Sequence, residues 1–527
     1  MEIHSTNTVT GLFGSIIGAQ VKNVILYSDK GNYIQRMKES PKSWYALGGL
    51  CGLAAVGNGN QNEDVVITNC TVSGYNVKDS STDGCYGDSN VGGMFGMSTV
   101  DLEKCSAVNT IVVDTVFNTS RGTVSVRVGG LAGSMRGNIT NCYTGGEIIC
   151  TKDCLKNAAK QFYIKDQDGE FIISGYPWGQ IRARDTFIAL PGTTLAINHT
   201  EDFHDIMSTA AKALDNYIEN ELLDTRIHGI DLPDVPLWAI WSIQQYAKNL
   251  GFDAARERYM PFIAKILNWI IAGGHANLQV ETSGLVGTTG TNTPVSWMNV
   301  TSNGWPLIPR SGLLVEFNAL WYNALMFAYN LSEGDETYAK NRETWLTIAE
   351  QAKPAFIETF LNDYGYLYDY VNGHHADLAV RPNMAIAIGL DYSPLDRRQR
   401  KGVLDVVTRE LLTPKGLRTL SPKSYGYQPF YVGSPEERER AYHNGPARPW
   451  LMGMYADAYI KVFGMSGISY IDRMLIGFED EMSQNCIGTI SQLYDGNPPF
   501  TGRGAISQAT NVAEVLRTLR NLKKLNV

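Results

Sequence analysis

An arginine and an aspartate adjoin at positions 184 and 185, and a second aspartate, Asp234, comes shortly before Trp238. A guanidinium beside a carboxylate can bind the polar groups of a ligand, or the two can form a plain surface ion pair. Trp178 precedes the Arg184–Asp185 pair and favours binding, since an indole ring offers a flat stacking surface. Asp234 can instead be a helix N-cap, because an aspartate there accepts backbone N–H bonds. Both roles of Asp234 stay open.

Two further sets of polar residues invite the same question. Arg310 and Glu316 can contact a ligand, or they can form a buried pair that only orients its loop. His443 follows Tyr442 near the start of a predicted helical segment. A lone histidine is more often structural, but the aromatic and polar neighbours of His443 favour a place in a site. Both interpretations remain open at each position.

The elements that must position these residues are helices. After Cys154 the apolar spacing has a period of 3.6 instead of 2, which indicates amphipathic helices. The predicted helical segments are 203–218, 235–250, 261–271, 314–331, 338–360, 396–412, 440–462 and 505–522. Long loops rich in Gly, Pro, Trp and Tyr separate them, at 173–184, 280–311, 364–383, 413–437 and 489–504. Loops of that length are usually functional, so we expect a closed helical toroid with its site at one mouth.

The first 150 residues follow a different pattern. Glycine-rich motifs recur about every 40 residues, at 11–14, 48–52, 92–96 and 129–133, and each precedes a short segment of strand-forming residues. Cys70, Cys105 and Cys142 recur at one place in their repeats. Stacked coils would place these thiols in an inward ladder, where cysteine acts as a small apolar residue. We therefore predict an incomplete β-solenoid. The repeats resemble the GLUG repeats of bacterial surface proteins, which implies a structural or adhesive role.

Composition sets outer bounds on the function. The chain has 527 residues, so two or three domains are expected. Lys and Arg total 45 against 53 Asp and Glu, and a net charge of -8 argues against nucleic acid as a partner. The sequence has no apolar run of about 18 residues and no signal-peptide pattern at its start, so no membrane span is expected. The protein is expected in the cytoplasm if Met1 is the true start, and at the cell surface or secreted if the chain is a fragment.

A metal or other cofactor is not expected. No C-x-x-C pair with zinc-finger spacing occurs, and seven of the eight cysteines lie before residue 155. His374 and His375 stand beside Asp377, but adjacent histidines point in different directions on most backbones. That arrangement is therefore not expected to bind a metal ion.

The loop motifs, taken in order, resemble the glucosidase part of glycogen debranching enzymes. The matching segments are 175–178, 184–187, 234–238, 297–299, 309–310, 315–323, 381–383, 416–422, 441–445, 494–499 and 503–504. The resemblance extends over about 350 residues. It implies two domains, a GLUG-like repeat region at 1–150 and an all-α, (α/α)6 glucosidase-like toroid at 155–527. The implied activity is exo-hydrolysis of α-1,6-linked glucose from glycogen-like branched α-glucans or oligosaccharides, by inversion. The implied substrate-binding residues are Trp178, Arg184, Asp185, Asp234, Trp238, Trp297, Arg310, Arg381, Tyr442 and His443.

The sequence departs from the family pattern at two positions that matter for catalysis. Cleavage of a glycosidic bond by inversion needs one carboxylic acid and one carboxylate, about 6.5 to 9.5 Å apart. The resemblance places Asn299 in the slot of the acid and Gln492 in the slot of the base. An amide cannot release a proton to a leaving group or accept one from water near neutral pH, and losing one catalytic acid or base costs a factor of roughly 10² to 10⁴ in rate. Glu316 and Asp495 are the nearest other carboxylates. The alternative function is a non-catalytic carbohydrate-binding or cell-surface protein.

Overall fold

The computed structural model divides the chain into two compact units. The first comprises Met1–Ala158 with Glu479–Thr489, and the second comprises Ala159–Phe478 with Ile490–Val527. The structure describes residues 3–5, 9–17, 21–28, 33–36, 44–55, 66–79, 88–98, 101–113, 126–130, 132–135, 139–140, 142–150, 154–289, 293–482 and 488–525.

The strands of the first unit are short and follow the glycine-rich repeats. They are β1 Ile3–Ser5, β2 Val9–Thr10, β3 Phe13–Ile17, β4 Val21–Lys22, β5 Ile25–Tyr27, β6 Tyr33–Arg36, β7 Trp44–Gly48, β8 Cys51–Ala55, β9 Val66–Thr68, β10 Thr71–Asp79, β11 Asp88–Gly92, β12 Phe95–Ser98, β13 Asp101–Glu103, β14 Ser106–Val113, β15 Val126–Gly129, β16 Ala132–Met135, β17 Ile139–Thr140 and β18 Tyr143–Cys150.

Strands from successive repeats join the same sheet. Strands β2, β7, β11 and β15 form one sheet, β3, β8, β12 and β16 a second, and β4, β9, β13 and β17 a third. The fourth sheet runs β1-β6-β10-β14-β18, with β5 also paired to β10. The pairing is parallel, as between β7 and β11 or β14 and β18. Equivalent positions of successive repeats therefore lie side by side.

This register explains two features of the repeats. A Cβ atom added to Gly92 would lie 1.9 Å from the carbonyl oxygen of Phe95, so the turn between β11 and β12 needs a glycine. Cys70 and Cys105 are both buried, as predicted for an inward ladder. The Sγ atom of Cys105 faces the carbonyl oxygen of Ile67 at 3.3 Å, and that of Cys142, which is partly exposed, faces Leu102 at 3.6 Å.

Helices dominate the remainder of the chain. They are α1 Cys154–Gln161, α2 Ala183–Thr193, α3 Thr200–Asn220, α4 Val235–Leu250, α5 Phe252–Ile271, α6 Val315–Leu331, α7 Ala339–Phe360, α8 Asn383–Gly389, α9 Arg397–Leu411, α10 Pro435–Ala441, α11 Leu451–Phe463, α12 Ile468–Glu481 and α13 Ala509–Leu525, with 3-10 turns at Leu195–Ile197, Glu336–Tyr338 and Gly464–Gly467. None of the helices described is both long enough and apolar enough to cross a membrane.

Six of these helices form a closed ring. Helix α2 packs against α4, α4 against α6, α6 against α8, α8 against α11, α11 against α13, and α13 returns to α2. Helices α3, α5, α7 and α9 pack against members of this ring. The contact that closes the ring is tight, because a Cβ atom added to Gly192 of α2 would lie 1.9 Å from the carbonyl oxygen of Ala513 in α13.

The predicted helices are mostly confirmed, with three differences. The segment 440–462 is not one helix, because Pro446 and Pro449 interrupt it, and the strand Ala447–Arg448 lies between α10 and α11. Helix α5 begins at Phe252, before the predicted segment 261–271. Helices α1, α2, α8 and α12, and all of α10 but its last two residues, were not predicted. Of these, α2 and α8 are buried on nearly all sides, so they lack the alternation of apolar and polar faces.

The predicted loops also contain regular structure, so the second unit is not purely helical. Its short strands are β19 Tyr163–Asp166, β20 Gly169–Ile172, β21 Gly175–Tyr176, β22 Gln279–Val280, β23 Val286–Thr288, β24 Thr301–Ser302, β25 Trp305–Pro306, β26 Gly312–Leu314, β27 Tyr370–Asn372, β28 His375–Ala376, β29 Leu412–Thr413, β30 Gly416–Arg418, β31 Ala447–Arg448, β32 Leu493–Tyr494, β33 Gly502–Arg503 and β34 Ser507–Gln508. They pair in two five-stranded antiparallel sheets and in two-stranded pairs. The sheet β29-β30-β31-β32-β33 fixes the loops that carry the residues around 448 and 492.

Candidate active site

The loops that join the ring helices enclose a cleft of about 490 Å³. Eight residues predicted for the site line this cleft, namely Trp178, Arg184, Asp185, Trp297, Asn299, Tyr442, His443 and Gln492. These residues are far apart in sequence, and the ring brings them together.

Arg184 is held by Asp234, for which the sequence allowed either a place in the site or a helix-capping role. Its Nε and Nη2 atoms donate to the two carboxylate oxygens of Asp234 at 2.6 and 2.8 Å. Trp238 donates from Nε1 to the same carboxylate at 3.2 Å. Asp234 stands at the N-cap position of α4, but its side chain makes no capping bond, so the capping interpretation is wrong. Asp234 and Trp238 do not line the cleft; they orient Arg184.

Asp185 is the single carboxylate among the described residues that line this cleft. Burial raises the pKa of Asp185, and the neighbouring Arg184 acts in the opposite direction. Asp185 belongs to the first turn of α2, so the ring helix itself positions the residue at the cleft. A single carboxylate can accept hydrogen bonds from hydroxyl groups of a ligand. It does not provide the pair that glycoside hydrolysis needs.

Aromatic rings form two different parts of the wall. Trp178 is 66% exposed and offers a free ring face. Trp297 is fixed, because its Nε1 atom donates to the Oδ1 atom of Asn383 at 2.7 Å and its ring lies perpendicular to that of Trp450, with centroids 5.5 Å apart. Trp178 is thus the ring best placed to stack on a ligand, whereas Trp297 and Trp450 form a rigid wall.

His443 is buried beside these rings, with 2% of its surface exposed. Neither ring nitrogen has a hydrogen-bond partner among the described residues. Burial lowers the pKa of His443 well below its ordinary value, and the positive charges of Arg448 and Arg381 lower it further. The imidazole is therefore neutral near pH 7. It offers one donor and one acceptor to the cleft.

Position 492 is occupied by an amide whose two ends are both bound. The Oε1 atom of Gln492 accepts from the backbone N–H of Ala505 at 3.0 Å, and its Nε2 atom donates to the hydroxyl oxygen of Tyr442 at 2.8 Å. Asn511 donates to the carbonyl oxygens of Ser491 and Gln492 at 2.7 and 3.0 Å, which fixes this loop on α13. Asn299, in contrast, is exposed at the cleft.

Other predicted residues lie behind the cleft. Arg310 donates to both carboxylate oxygens of Glu316 and to Asp369, and all three side chains are buried. Arg381 donates to the carbonyl oxygen of His443 at 2.8 Å and so holds the loop of that residue. Arg310, Glu316 and Arg381 are not among the residues that line the cleft.

Asp495, the other carboxylate considered for catalysis, is also buried outside the cleft. It pairs with Arg503 at 2.9 Å and accepts from the backbone N–H of Tyr431 at the same distance. Its carboxylate therefore orients two loops. The structure does not bring it to the lining of the 490 Å³ cleft.

Sequence reasoning missed several polar residues of the lining, among them Arg448 and Asn511. The Arg448 guanidinium lies over the ring of Tyr442, 4.0 Å from its centroid, and donates to the Tyr442 carbonyl oxygen at 3.0 Å. Asn511 interrupts the apolar face of the last predicted helix. A polar residue in an apolar stripe was the available signal.

A second chamber of about 630 Å³ shares Trp178, Val300, Tyr442 and Gln492 with the first. Arg438, Glu439 and Arg503 also line it. The two chambers therefore adjoin.

Comparison with known proteins identifies relatives. Residues 155–517 match the model of the family described as amylo-alpha-1,6-glucosidase. A 192-residue segment is 26% identical to the glycogen debranching enzyme of Saccharomyces cerevisiae, covering 30% of this chain and 12% of the yeast protein.

Solved structures from Thermus thermophilus are also similar. A GH63 mannosylglycerate hydrolase in complex with Tris and D-glycerate aligns with a TM-score of 0.48 at 13% identity, and an uncharacterized conserved protein with 0.47 at 15% identity. Each alignment covers 69% of this chain and 99% of the other.

Proposed function

Because the chain belongs to the amylo-alpha-1,6-glucosidase family, a family of glycoside hydrolases, we propose that its cleft binds the glucose ends of glycogen-like branched α-glucans. The residues that line the cleft support this proposal. Trp178 presents an exposed ring for stacking on a sugar, and Asp185 with Arg184 offers charged partners for hydroxyl groups. The yeast protein's name points to the same class of polymer, although this chain spans 12% of that protein's length.

We further propose that the protein cleaves this ligand slowly or not at all. The observation that carries the proposal is that Asp185 is the sole carboxylate among the described residues lining the 490 Å³ cleft, and that the adjoining chamber adds only the exposed Glu439. Inverting hydrolysis needs one carboxyl group to protonate the leaving oxygen and another to activate water. The slots assigned to these groups by resemblance contain Asn299 and Gln492. In this proposal the protein binds α-1,6-linked glucose without efficient acid–base catalysis.

The contacts of Gln492 support the assignment of its slot. Its amide oxygen and nitrogen each have a partner, so the amide is a well-accommodated side chain and not a misfit. A glutamate of the same shape would accept from Ala505 in the same way, and the Tyr442 hydroxyl would then donate instead of accept. We infer that the site needs only this reversal to hold a carboxylate.

The two units differ in the fold that we propose for each. We interpret the closed ring of helices as an (α/α)6 toroid occupying 155–527. We interpret the parallel sheets of 1–150 as an incomplete, GLUG-like β-solenoid with a structural or adhesive role. If the protein releases no glucose at all, the alternative function applies, and the protein is a non-catalytic carbohydrate-binding or cell-surface protein.

The test combines binding and turnover on one substrate. The protein is incubated with a branched limit dextrin, free glucose is assayed, and binding is measured by calorimetry. We expect binding without glucose release at ordinary enzyme rates. Trp178→Ala should weaken binding, whereas Trp305→Ala, which removes a similarly exposed ring that does not line the cleft, should not. Rapid glucose release, or no binding at all, would contradict the proposal.

A further inference from the structure

Arg448 is a buried cation that forms no ion pair with a described residue. Its side chain is 5% exposed and lines the cleft. The groups it contacts are neutral: Nη2 donates to the carbonyl oxygen of Tyr442, and the guanidinium lies over the ring of the same residue. Its Nε atom has no hydrogen-bond partner among the described residues. The charge of Arg448 does act to lower the pKa of Asp185, so this carboxylate is near enough to compensate the cation in part.

Other buried arginines of the second unit show what Arg448 lacks. Arg184 pairs with Asp234, Arg310 with Glu316 and Asp369, and Arg517 with Glu514 and Asp457. Arg381 has no carboxylate partner in the described chain either, but it donates to three oxygen atoms and lies behind the cleft. A charge removed from water is costly unless a partner of opposite charge and hydrogen bonds compensate it. Arg448 is compensated only in part, and it faces the space that a ligand would fill.

The rest of the wall adds to this positive character. Arg182 also lines the cleft, whereas the charge of Arg184 is balanced by Asp234, and Asp185 is the one described carboxylate in the lining. The side chains at 299 and 492, which also line the cleft, are uncharged amides. His443 lies nearby with both ring nitrogens unpartnered among the described residues, so it can complete the hydrogen bonding of a ligand.

We propose that the preferred ligand is a saccharide with a carboxylate on its terminal sugar, a hexuronic acid end, and that Arg448 is its counter-ion. This inference rests on the proposed binding of saccharides in the same cleft. A guanidinium matches a carboxylate in geometry as well as charge, since it can present two parallel N–H groups. A neutral glucose end leaves Arg448 unpaired and therefore binds less tightly.

The experiment compares two disaccharides that differ only in the terminal residue, one ending in glucose and one in glucuronic acid. Calorimetry should give at least roughly tenfold tighter binding of the glucuronic acid form at low salt, with the preference shrinking as ionic strength rises. Arg448→Gln should abolish the preference, and Arg448→Lys should keep part of it because the charge remains. Arg398→Gln, on the exposed surface of α9, is the matched control and should leave the preference intact.

The outcomes separate this inference from the proposed function. Equal affinities for the two disaccharides would overturn the inference and leave saccharide binding in place. A preference for the acid that survives Arg448→Gln would overturn the role of Arg448. Failure of both disaccharides and of the limit dextrin to bind would overturn the proposed function as well. If Arg448→Gln does not fold, Arg448→Lys and the salt dependence of the unaltered protein still decide the question.

Discussion

The amide nitrogen of Gln492 donates to the hydroxyl oxygen of Tyr442 at 2.8 Å. The orientation of the amide follows from its other end, because Oε1 accepts the backbone N–H of Ala505. Tyr442 accepts this bond and keeps its own O–H proton for another partner. An amide in this slot has no atom basic enough to remove a proton from water near neutral pH, which is the work of a general base. This relationship supports the proposed slow hydrolysis.

Replacing Asp234 should lower the free energy of unfolding. The change Asp234→Ala leaves the buried Arg184 without its carboxylate, and breaking a buried pair in this way costs about 3–5 kcal/mol. Urea unfolding measures the loss. The matched control is Asp405→Ala, which breaks the half-exposed pair with Lys401 and should cost less than about 1 kcal/mol. Equal effects of the two changes would contradict the buried, structural role of Asp234.

Glu316 should affect stability and not ligand contact. Glu316→Ala removes one of the two carboxylates that hold Arg310 and should lower the free energy of unfolding by about 3 kcal/mol. Calorimetry on the folded variant should show nearly unchanged glucan affinity. The control Glu343→Ala changes an exposed residue of α7 and should be close to neutral. Lost affinity with unchanged stability would show instead that Glu316 contacts the ligand.

His443 should make stability depend on pH in a defined window. The folded protein keeps its imidazole neutral, with a pKa well below the ordinary value of 6.5. The unfolded chain binds a proton there below about pH 6.5, so stability falls as the pH drops below this value. The slope contributed by one proton is about 1.4 kcal/mol per pH unit.

The measurement is the free energy of unfolding between about pH 7.5 and about pH 5, in the unaltered protein and in His443→Gln. In the variant, the slope of the free energy of unfolding against pH should be smaller by the contribution of one proton. His374→Gln, at an exposed position, should retain it. An unchanged slope in His443→Gln would mean that the folded protein protonates this imidazole as readily as the unfolded chain does.

The sequence predicted most of the second unit, and its failures have a physical cause. The segment 235–250 coincides with α4, because the pattern there is long and bounded by Asp234 and Gly251. Helix α2 was hidden, since it is short and Pro191 and Gly192 look like breakers. The longer ring helices α4 and α6 were predicted although they are also buried on nearly all sides, so the length of the apolar pattern mattered more than burial.

The sequence also predicted the candidate site only in part. Loop motifs located Trp178, Arg184, Asp185 and His443, which the structure places at one cleft. They did not separate lining residues from supporting ones. Whether Glu316 faces the ligand or an arginine depends on packing between distant segments, and a single sequence does not contain that information.

The most direct test of the central claim is the double reversion Asn299→Asp with Gln492→Glu. Each restored carboxyl group should raise the rate of glucose release from a branched limit dextrin by roughly 10² to 10⁴ if the missing acid and base explain slow hydrolysis. The single reversions serve as controls and should give less than the pair. Release that rises by orders of magnitude in the double variant is the predicted result. An unchanged rate in a folded, glucan-binding double variant would show that positions 299 and 492 are not the catalytic slots.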